Sequence, residues 1–355
     1  MKNYAHLFII FGLFSLVSVF AQSKSSVSPS EINPLEFGNA IEREILPKQK
    51  HFYKIHLETG QFVKISVISR NCTIAVSIFE PDGKFVLESK NIHSTNNDET
   101  INAAVRKTGD YQVRIVFAEK TDAAASYRLN ITELRAANEI EFSYTDGRKI
   151  VSETELLIKS DLSFDNMQAA VKKYQEAVGK FQIAQTKKLE AAALESIGIL
   201  LTKLGERRKA IETHERSIKI FRAIGDKKLL SRALNNLGRV HSLLGERGQA
   251  LEILAEALAL AKEAKNKTSE AIALNGIGAI HYRLDDAARA EIYHIAALKL
   301  FEETEDVYNQ SFTQTYLVFS QDSIDGSEQE AVATCSSLSP SLPFGVLTTP
   351  QFKLD

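Results

Sequence analysis

Little in this chain of 355 residues commits it to a charged partner, a membrane or a reaction. Its formal net charge is only −2, spread over segments that mix acids and bases. That pattern leaves no broad electrostatic footprint for DNA or RNA, so nucleic acid is excluded as a partner class. There are two cysteines, Cys72 in a β-rich region and Cys335 in an irregular tail. An oxidising compartment permits a bridge between them without predicting one, and two free or buried thiols is the simpler expectation. The one long apolar run, "LFIIFGLFSLVSVF" from Leu7 to Phe20, is about fourteen residues, short of the roughly twenty that a helix needs to cross a bilayer. Preceded by Lys2 and closed by Val19 and Ala21, it has the pattern of a cleaved secretory signal over 1–21. The mature chain is then expected to begin at Gln22, exported to a periplasmic or extracellular space with no stable membrane anchor. No cysteine follows the run, which excludes a lipid-anchored N-terminus.

Catalytic signatures are missing as well. There is no G-x-S-x-G nucleophile elbow and no phosphate-binding glycine loop. His214-Glu215 has Ile218 where H-E-x-x-H needs its second histidine, and "NGIGAI" at Asn275 to Ile280 lies inside a helical pattern with no strand before it. Cys335 with a histidine makes a poor peptidase dyad, because it sits in the least structured part of the chain. The Asn-x-Thr triplets at Asn71, Asn130 and Asn266 read as chance.

What the chain does have is an echo. "LNNLGRVHSLLGERGQA" from Leu234 returns forty residues later as "LNGIGAIHYRLDDAARA" from Leu274. Gly198, Gly238 and Gly278 share that spacing, as do Leu194, Leu234 and Leu274, and Ala170, Ala210, Ala250 and Ala290 make four members. A fixed period of this size marks a repeat array. Within a unit, Leu234, Leu237, His241 and Leu244 form one helical face, and Ala250, Leu254, Ala257, Leu258 and Ala261 another. Each unit is therefore two helices. Gly205 and Gly245 end the first helix in a left-handed residue, Asp285 takes that place in the next unit, and Gly225-Asp226 closes one helix and caps the next. Gly238 and Gly278 let paired helices lie close, with Ala250 and Ala290 answering them.

These residues resemble the tetratricopeptide repeat in its forty-residue form. Three units match, Ala191 to Asp226, Ser231 to Asn266 and Ala271 to Asp306. A fourth, around Val151 to Phe181, matches in its second helix through Ala170, Tyr174, Ala177 and Phe181. His241 and His281 stand where the family has tyrosine, and His214 and His294 where it has phenylalanine, so they are expected as wedges between helices rather than ligands. A metal shared by His281 and His294 lacks any accompanying ligand at a known spacing, and no metal or other cofactor is expected.

Upstream the texture is β. "HFYKIHL", "QFVKISVIS", "TIAVSIFE", "KFVLES", "DYQVRIVFA" and "SYRLNIT" are short runs punctuated by Thr59-Gly60, Pro81-Asp82-Gly83 and Thr108-Gly109-Asp110. Alternation of Val63, Ile65 and Val67 against Phe62, Lys64 and Ser66 turns one face into a core, and seven or eight such strands imply a β-sandwich. The run "REILPKQKHFYKIHLETGQFVKISV", with "VSIFEPDGKFV" and "TGDYQVRIVFAE", resembles the pre-peptidase C-terminal sandwich of secreted bacterial peptidases. This sandwich followed by forty-residue repeats also resembles exported bacterial proteins that continue into a caspase-like (CHAT) peptidase domain, which is absent here.

The expected organisation is a signal peptide over 1–21, a linker over 22–34, an all-β sandwich over 35–134, a linker over 135–150, an all-α repeat superhelix over 151–320, and an irregular tail over 321–355. The expected function is a non-catalytic protein-interaction scaffold. The competing readings are a truncated member of the caspase-like peptidase group, and a sandwich that binds carbohydrate or a surface polymer.

The first helices have a face opposite their packed one, which is expected to line a concave groove. It carries Arg232, Asn235, Arg239, Ser242 and Leu243 in one unit. Ile272, Asn275, Ala279, Tyr282 and Arg283 follow in the next, and Ala192, Glu195, Ile199, Thr202 and Lys203 precede them. In the family this surface holds peptides, and asparagines at the places of Asn235 and Asn275 hold the peptide backbone. Lys203, Arg232, Arg239 and Arg283 face one acid, Glu195, so the expected ligand is a protein or peptide with an acidic segment or a free carboxylate. The bland alternative is that these residues form a solvated helix face.

Overall fold

A computed structural model describes residues 32–46, 49–70, 74–90, 98–117 and 125–324. The signal segment, Asn71, both cysteines and the tail beyond 324 lie outside the described residues. The described chain is an N-terminal β-sandwich followed by a superhelical array of paired helices.

Nine strands are described: β1 Ile32–Pro34, β2 Ile41–Ile45, β3 Lys50–Leu57, β4 Gln61–Arg70, β5 Ile74–Phe79, β6 Phe85–Lys90, β7 Asp98–Ala104, β8 Gly109–Phe117 and β9 Ala125–Ala136. A five-stranded sheet in the order β1-β3-β8-β5-β6 packs on a four-stranded sheet in the order β2-β9-β4-β7. Apart from β1 on β3, the pairs are antiparallel. The period-2 pattern sends Val63, Ile65 and Val67 of β4 into the core, where they meet Tyr53, Ile55 and Leu57 of β3 and Val113 and Ile115 of β8. The hydroxyls of Tyr53 and Tyr127 hydrogen-bond from opposite sheets, and Tyr127 continues to His51 Nδ1 at 2.6 Å. Three strands escaped the sequence reading. β1 falls in the expected 22–34 linker, β2 (IEREI) has three charged residues in five, and β7 (DETINAA) shows only Ile101 as a strong strand former. Pairing with Ile65 buries Ile101, so tertiary context overrides a weak local preference.

The expected linker over 135–150 is corrected. β9 runs to Ala136, and α1 (Glu139–Ser160) starts after two residues. A capping box starts it: Asn138 Oδ1 accepts from Glu141 N at 3.1 Å, and Asn138 N donates to the Glu141 carboxylate at 2.9 Å. α1 lies over the two sheet edges β6 and β7 and is tied to them. Ala104 N donates to Thr145 Oγ1 at 2.9 Å, Arg148 donates to the Glu88 carbonyl at 2.7 Å, and Glu80 takes both Lys107 and Lys149. Both edges are thus covered rather than left to pair with another chain.

Eight more helices are described: α2 Phe164–Ile183, α3 Lys187–Lys203, α4 Arg207–Ile224, α5 Lys227–Leu244, α6 Arg247–Glu263, α7 Lys267–Tyr282, α8 Ala287–Glu303 and α9 Val307–Ile324. They pair as α1/α2, α3/α4, α5/α6 and α7/α8, with α9 as a further first helix. At the place of Gly198, Gly238 and Gly278, α9 has Val318, 52% exposed, so no second helix covers it among the described residues. Phe181, Phe221 and Phe301 recur at one position and are fully buried, each worth about 2 to 3 kcal/mol of apolar transfer.

The period is written in the backbone too. Turns inside units have φ of +80° at Gly205, +80° at Gly245 and +59° at Asp285. Turns between units have +55° at Gln185, +74° at Gly225, +51° at Lys265 and +55° at Glu305. Only glycine adopts this region without steric cost. Lys265→Gly is therefore expected to raise stability by about 1 kcal/mol, read as a higher urea midpoint. An unchanged or lower midpoint would show that the turn is not held left-handed.

Candidate functional site

The eight predicted residues lie on three successive first helices. Lys203 ends α3, Arg232, Asn235, Arg239 and Ser242 lie on α5, and Asn275 and Tyr282 lie on α7 with Arg283 as its C-cap. They do not form a solvated face. Asn235 is 3% and Ser242 6% exposed, and the other six are half-buried.

Their roles differ from those implied by the resemblance. Asn275 Oδ1 is bound to His294 Nδ1 at 2.9 Å, and Asn235 Nδ2 donates to the Ser269 carbonyl of α7 at 2.8 Å. Both asparagines are thus tied inside the array, and Asn275 is spent on holding His294. The reason is positional. Residues 195, 235 and 275 share one place on the first helix, and residues 214, 254 and 294 on the second helix face the glycine one turn later. Where the second helix has histidine, the first supplies its partner, Glu195 for His214 and Asn275 for His294. Opposite Leu254, Asn235 has no such partner and reaches α7 instead. Tyr282 is packed too, stacked on Phe319 and edge-on to Tyr316 of α9.

Glu195, read from sequence as the one acid of a groove, is the centre of a buried network. It is 1% exposed and accepts from His214 Nδ1 at 2.8 Å, from Ser217 Oγ, and from Asn236 Nδ2 at 3.0 Å. Burial works to raise its pKa, but attraction to His214 and these three hydrogen bonds hold it below the ordinary carboxylate value. It stays ionised. The signal for this lay in the sequence as Glu195 and His214 at the spacing that also joins Asn275 to His294.

His281 and His294, set aside from sequence as a metal pair, each pack on an aromatic ring. His281 stacks on Tyr293, His294 on Tyr316, and among the described residues no group of three candidate ligands is close enough to hold an ion.

The cations of the predicted site are unevenly satisfied. Arg232 and Arg283 are engaged in interactions, and burial lowers the pKa of both. Arg239 is different. Its Nε and Nη2 have no contact with solvent and no hydrogen-bond partner, and burial pushes its pKa down to about 10. Burial and the neighbouring Arg239 charge also lower Lys203. Asn235 Oδ1 and Ser242 Oγ on the same helix are buried without partners as well.

Two open grooves lie elsewhere, between successive second helices. One of about 700 Å3 runs between α2 and α4 over Leu194, Ile197 and Leu201, and one of about 510 Å3 between α4 and α6 over Leu234 and Leu237. None of the eight predicted residues lines either.

Residues 189–263, from α3 to α6, match the family model described as tetratricopeptide repeat. The helices form a tetratricopeptide-repeat-like array. No curated protein matches in sequence. Among solved structures, BtubC (BKLC) from P. vanneervenii is 18% identical over 59% of this chain and 96% of its own, with a TM-score of 0.38. Aspartyl phosphate phosphatase F from Bacillus subtilis is 16% identical over 56% of this chain and 59% of its own, with a TM-score of 0.45. A putative kinesin light chain from Podosopora anserina, described as nearly identical TPR-like repeats, is 14% identical over 54% and 92%, with a TM-score of 0.41. Among the described residues no helix is long and apolar enough to cross a membrane.

Proposed function

We propose that the protein is an exported, non-catalytic scaffold whose first helices hold a protein or peptide partner, and that the partner presents an acidic group. The observation that supports this reading is that, besides His241 Nε2, the unpartnered buried polar atoms of α5 are Asn235 Oδ1, Arg239 Nε and Nη2, and Ser242 Oγ. Native proteins pair nearly all such groups, and each orphan costs about 1 to 3 kcal/mol, more for a charged one. Four of the five such atoms on α5 belong to Asn235, Arg239 and Ser242, and these three fit a face completed by a polar ligand. Residues 235, 239 and 242 recur at helical spacing, so one extended segment meets all three. The ligand, not the scaffold, then supplies the missing hydrogen bonds. Export rests on the Lys2, Leu7–Phe20 and Val19/Ala21 pattern, with a mature start at Gln22.

The test compares wild-type protein with Arg239→Ala/Ser242→Ala as bait in the native extracellular fraction. The double variant is expected to lose wild-type partners while its melting temperature holds or rises, because deleting an unsatisfied buried group relieves its cost. A variant that retains every wild-type partner sinks the groove reading. N-terminal mass spectrometry that finds "LFIIFGLF" in secreted material overturns the export reading.

A further inference from the structure

We propose that the outer face of α8 is a self-association surface, on which a second copy of this chain seats its own α8 antiparallel about a two-fold axis near Ile295. This surface is separate from the first helices and does not depend on what they bind. The second helices share a register, so their outward positions correspond at forty-residue spacing. At the place of Ile292 stand Lys172, Glu212 and Glu252, and at the place of Ile295 stand Gln175, Glu215 and Ala255, all exposed. Five of those six are polar; α8 has isoleucine at both places, 65% and 50% exposed. With Ala288 one turn before and Lys299 one turn after, both exposed, the isoleucines form one stripe along the helix. The inner face of α8 is already packed, with Ala290, His294, Ala297 and Phe301 fully buried, so the core of the array has no use for the two isoleucines. An apolar stripe rimmed by charge on an exposed face is the mark of a contact with another surface.

The order of charge along the stripe selects a second copy as the occupant. Arg289 and Glu291 flank it on the N-terminal side of Ile295, and Lys299 and Glu302 on the C-terminal side. In an isologous pair, residue i meets j and residue j meets i. A two-fold axis near residue 295 therefore brings Arg289 opposite Glu302 and Glu291 opposite Lys299, so each acid meets a base at both ends, whereas a parallel partner sets every charge against its like. Arg289 is free to reach across, since its side chain is 68% exposed beside Asp286, and Glu291 is held at the edge of the stripe by Gln321 of α9 at 2.9 Å. A further second helix stacked in the manner of the array is the poorer occupant. At the places of Ala271, Leu274, Gly278 and His281, α9 has Ser311, Gln314, Val318 and Gln321. Three polar residues, and a side chain where close approach needs glycine, make the outer face of α9 one that suits water rather than a packed helix.

The experiment follows the mass of the full-length protein by sedimentation across a concentration series. One α8 face is about 25 Å long, at the low end of interface sizes, so the series extends to high micromolar concentrations. The wild type is expected to pass from monomer to dimer mass. Ile292→Glu/Ile295→Glu gives α8 the residues that α4 carries at those places, and is expected to weaken association at least about tenfold with an unchanged melting temperature. Arg289→Glu is expected to weaken it about threefold, and Arg289→Glu/Glu302→Arg to restore it, because the swap keeps each acid opposite a base only in the antiparallel seating. A wild type that stays monomeric at every concentration overturns the proposal. If the isoleucine variant then melts lower, a segment of the same chain covers the stripe; if it loses a partner held by the wild type, a different protein does. A dimer indifferent to the isoleucine changes, or a charge swap that recovers nothing, overturns the proposal as well.

Discussion

Gly238→Leu is expected to cost about 3 kcal/mol, the upper end of the overpacking range, and to lower the melting temperature of the helical array by several degrees. A β-carbon built on Gly238 stands 2.7 Å from Leu254 Cγ and 2.9 Å from its Cδ2, distances real β-carbons essentially never show. Leu254 has nowhere to go. It is 2% exposed, and its Cδ1 is 3.1 Å from a β-carbon built on Gly276 of α7, so it is wedged between two first helices. Glycine inside a helix costs about 1 kcal/mol relative to alanine, so its use here trades propensity for close approach. Pairing Gly238→Ala with Leu254→Ala should recover part of the loss of the single Gly238→Ala change, as a double-mutant cycle on urea midpoints would measure. A melt of Gly238→Leu that overlays the wild type would mean that α5 and α6 are not in contact as described.

The same contact shows what was legible in the sequence. The forty-residue spacing of Gly198, Gly238 and Gly278 announced paired helices, and the alternation in β4 announced its buried face. What each glycine makes room for was not legible. The second-helix alanines were the expected answer, but the atoms nearest a β-carbon are the rings of His214 and His294 and the side chain of Leu254. Periodicity reports which positions correspond, whereas contact depends on how far a side chain reaches across to the next helix. How deeply the expected binding face is buried was not legible for a related reason. Reading Lys203, Arg232, Arg239 and Arg283 as lining an open groove took polar side chains for exposed ones, whereas the first helices are deeply enclosed, with every residue from Glu190 to Thr202 of α3 buried. Likewise α1 was taken for a linker because its pattern is polar (EIEFSYTDGRK), although Asn138 and Glu141 spelled a capping box.

Glu195→Ala is expected to be the most damaging single polar substitution in the array, at about 3 to 5 kcal/mol, the loss typical of breaking a buried charged network from one side. Three donors lose their acceptor at once: His214 Nδ1, Ser217 Oγ and Asn236 Nδ2. Arg232 and Arg239 lose the anion whose charge supports theirs. His214 also fills the space beside Gly198, where a β-carbon would lie 2.5 Å from its ring, so a ring freed to tilt disturbs the helix contact itself. Glu195→Gln keeps the shape and most of the hydrogen bonds and loses the charge, so it isolates the ionic part. The sign of its pH dependence follows from the lowered pKa of Glu195 in the folded protein. The contribution is fully present above the pKa of the unfolded chain and is lost as pH falls through the lower folded value. The gap in urea midpoint between wild type and Glu195→Gln should therefore be widest near neutrality and shrink only under strongly acid conditions. An exposed control is Glu206→Ala, which breaks the surface pair with Lys209 and should change little. Equal midpoints for Glu195→Ala and Glu206→Ala at neutral pH would mean that the Glu195 carboxylate is hydrated and that the buried network is not held as described.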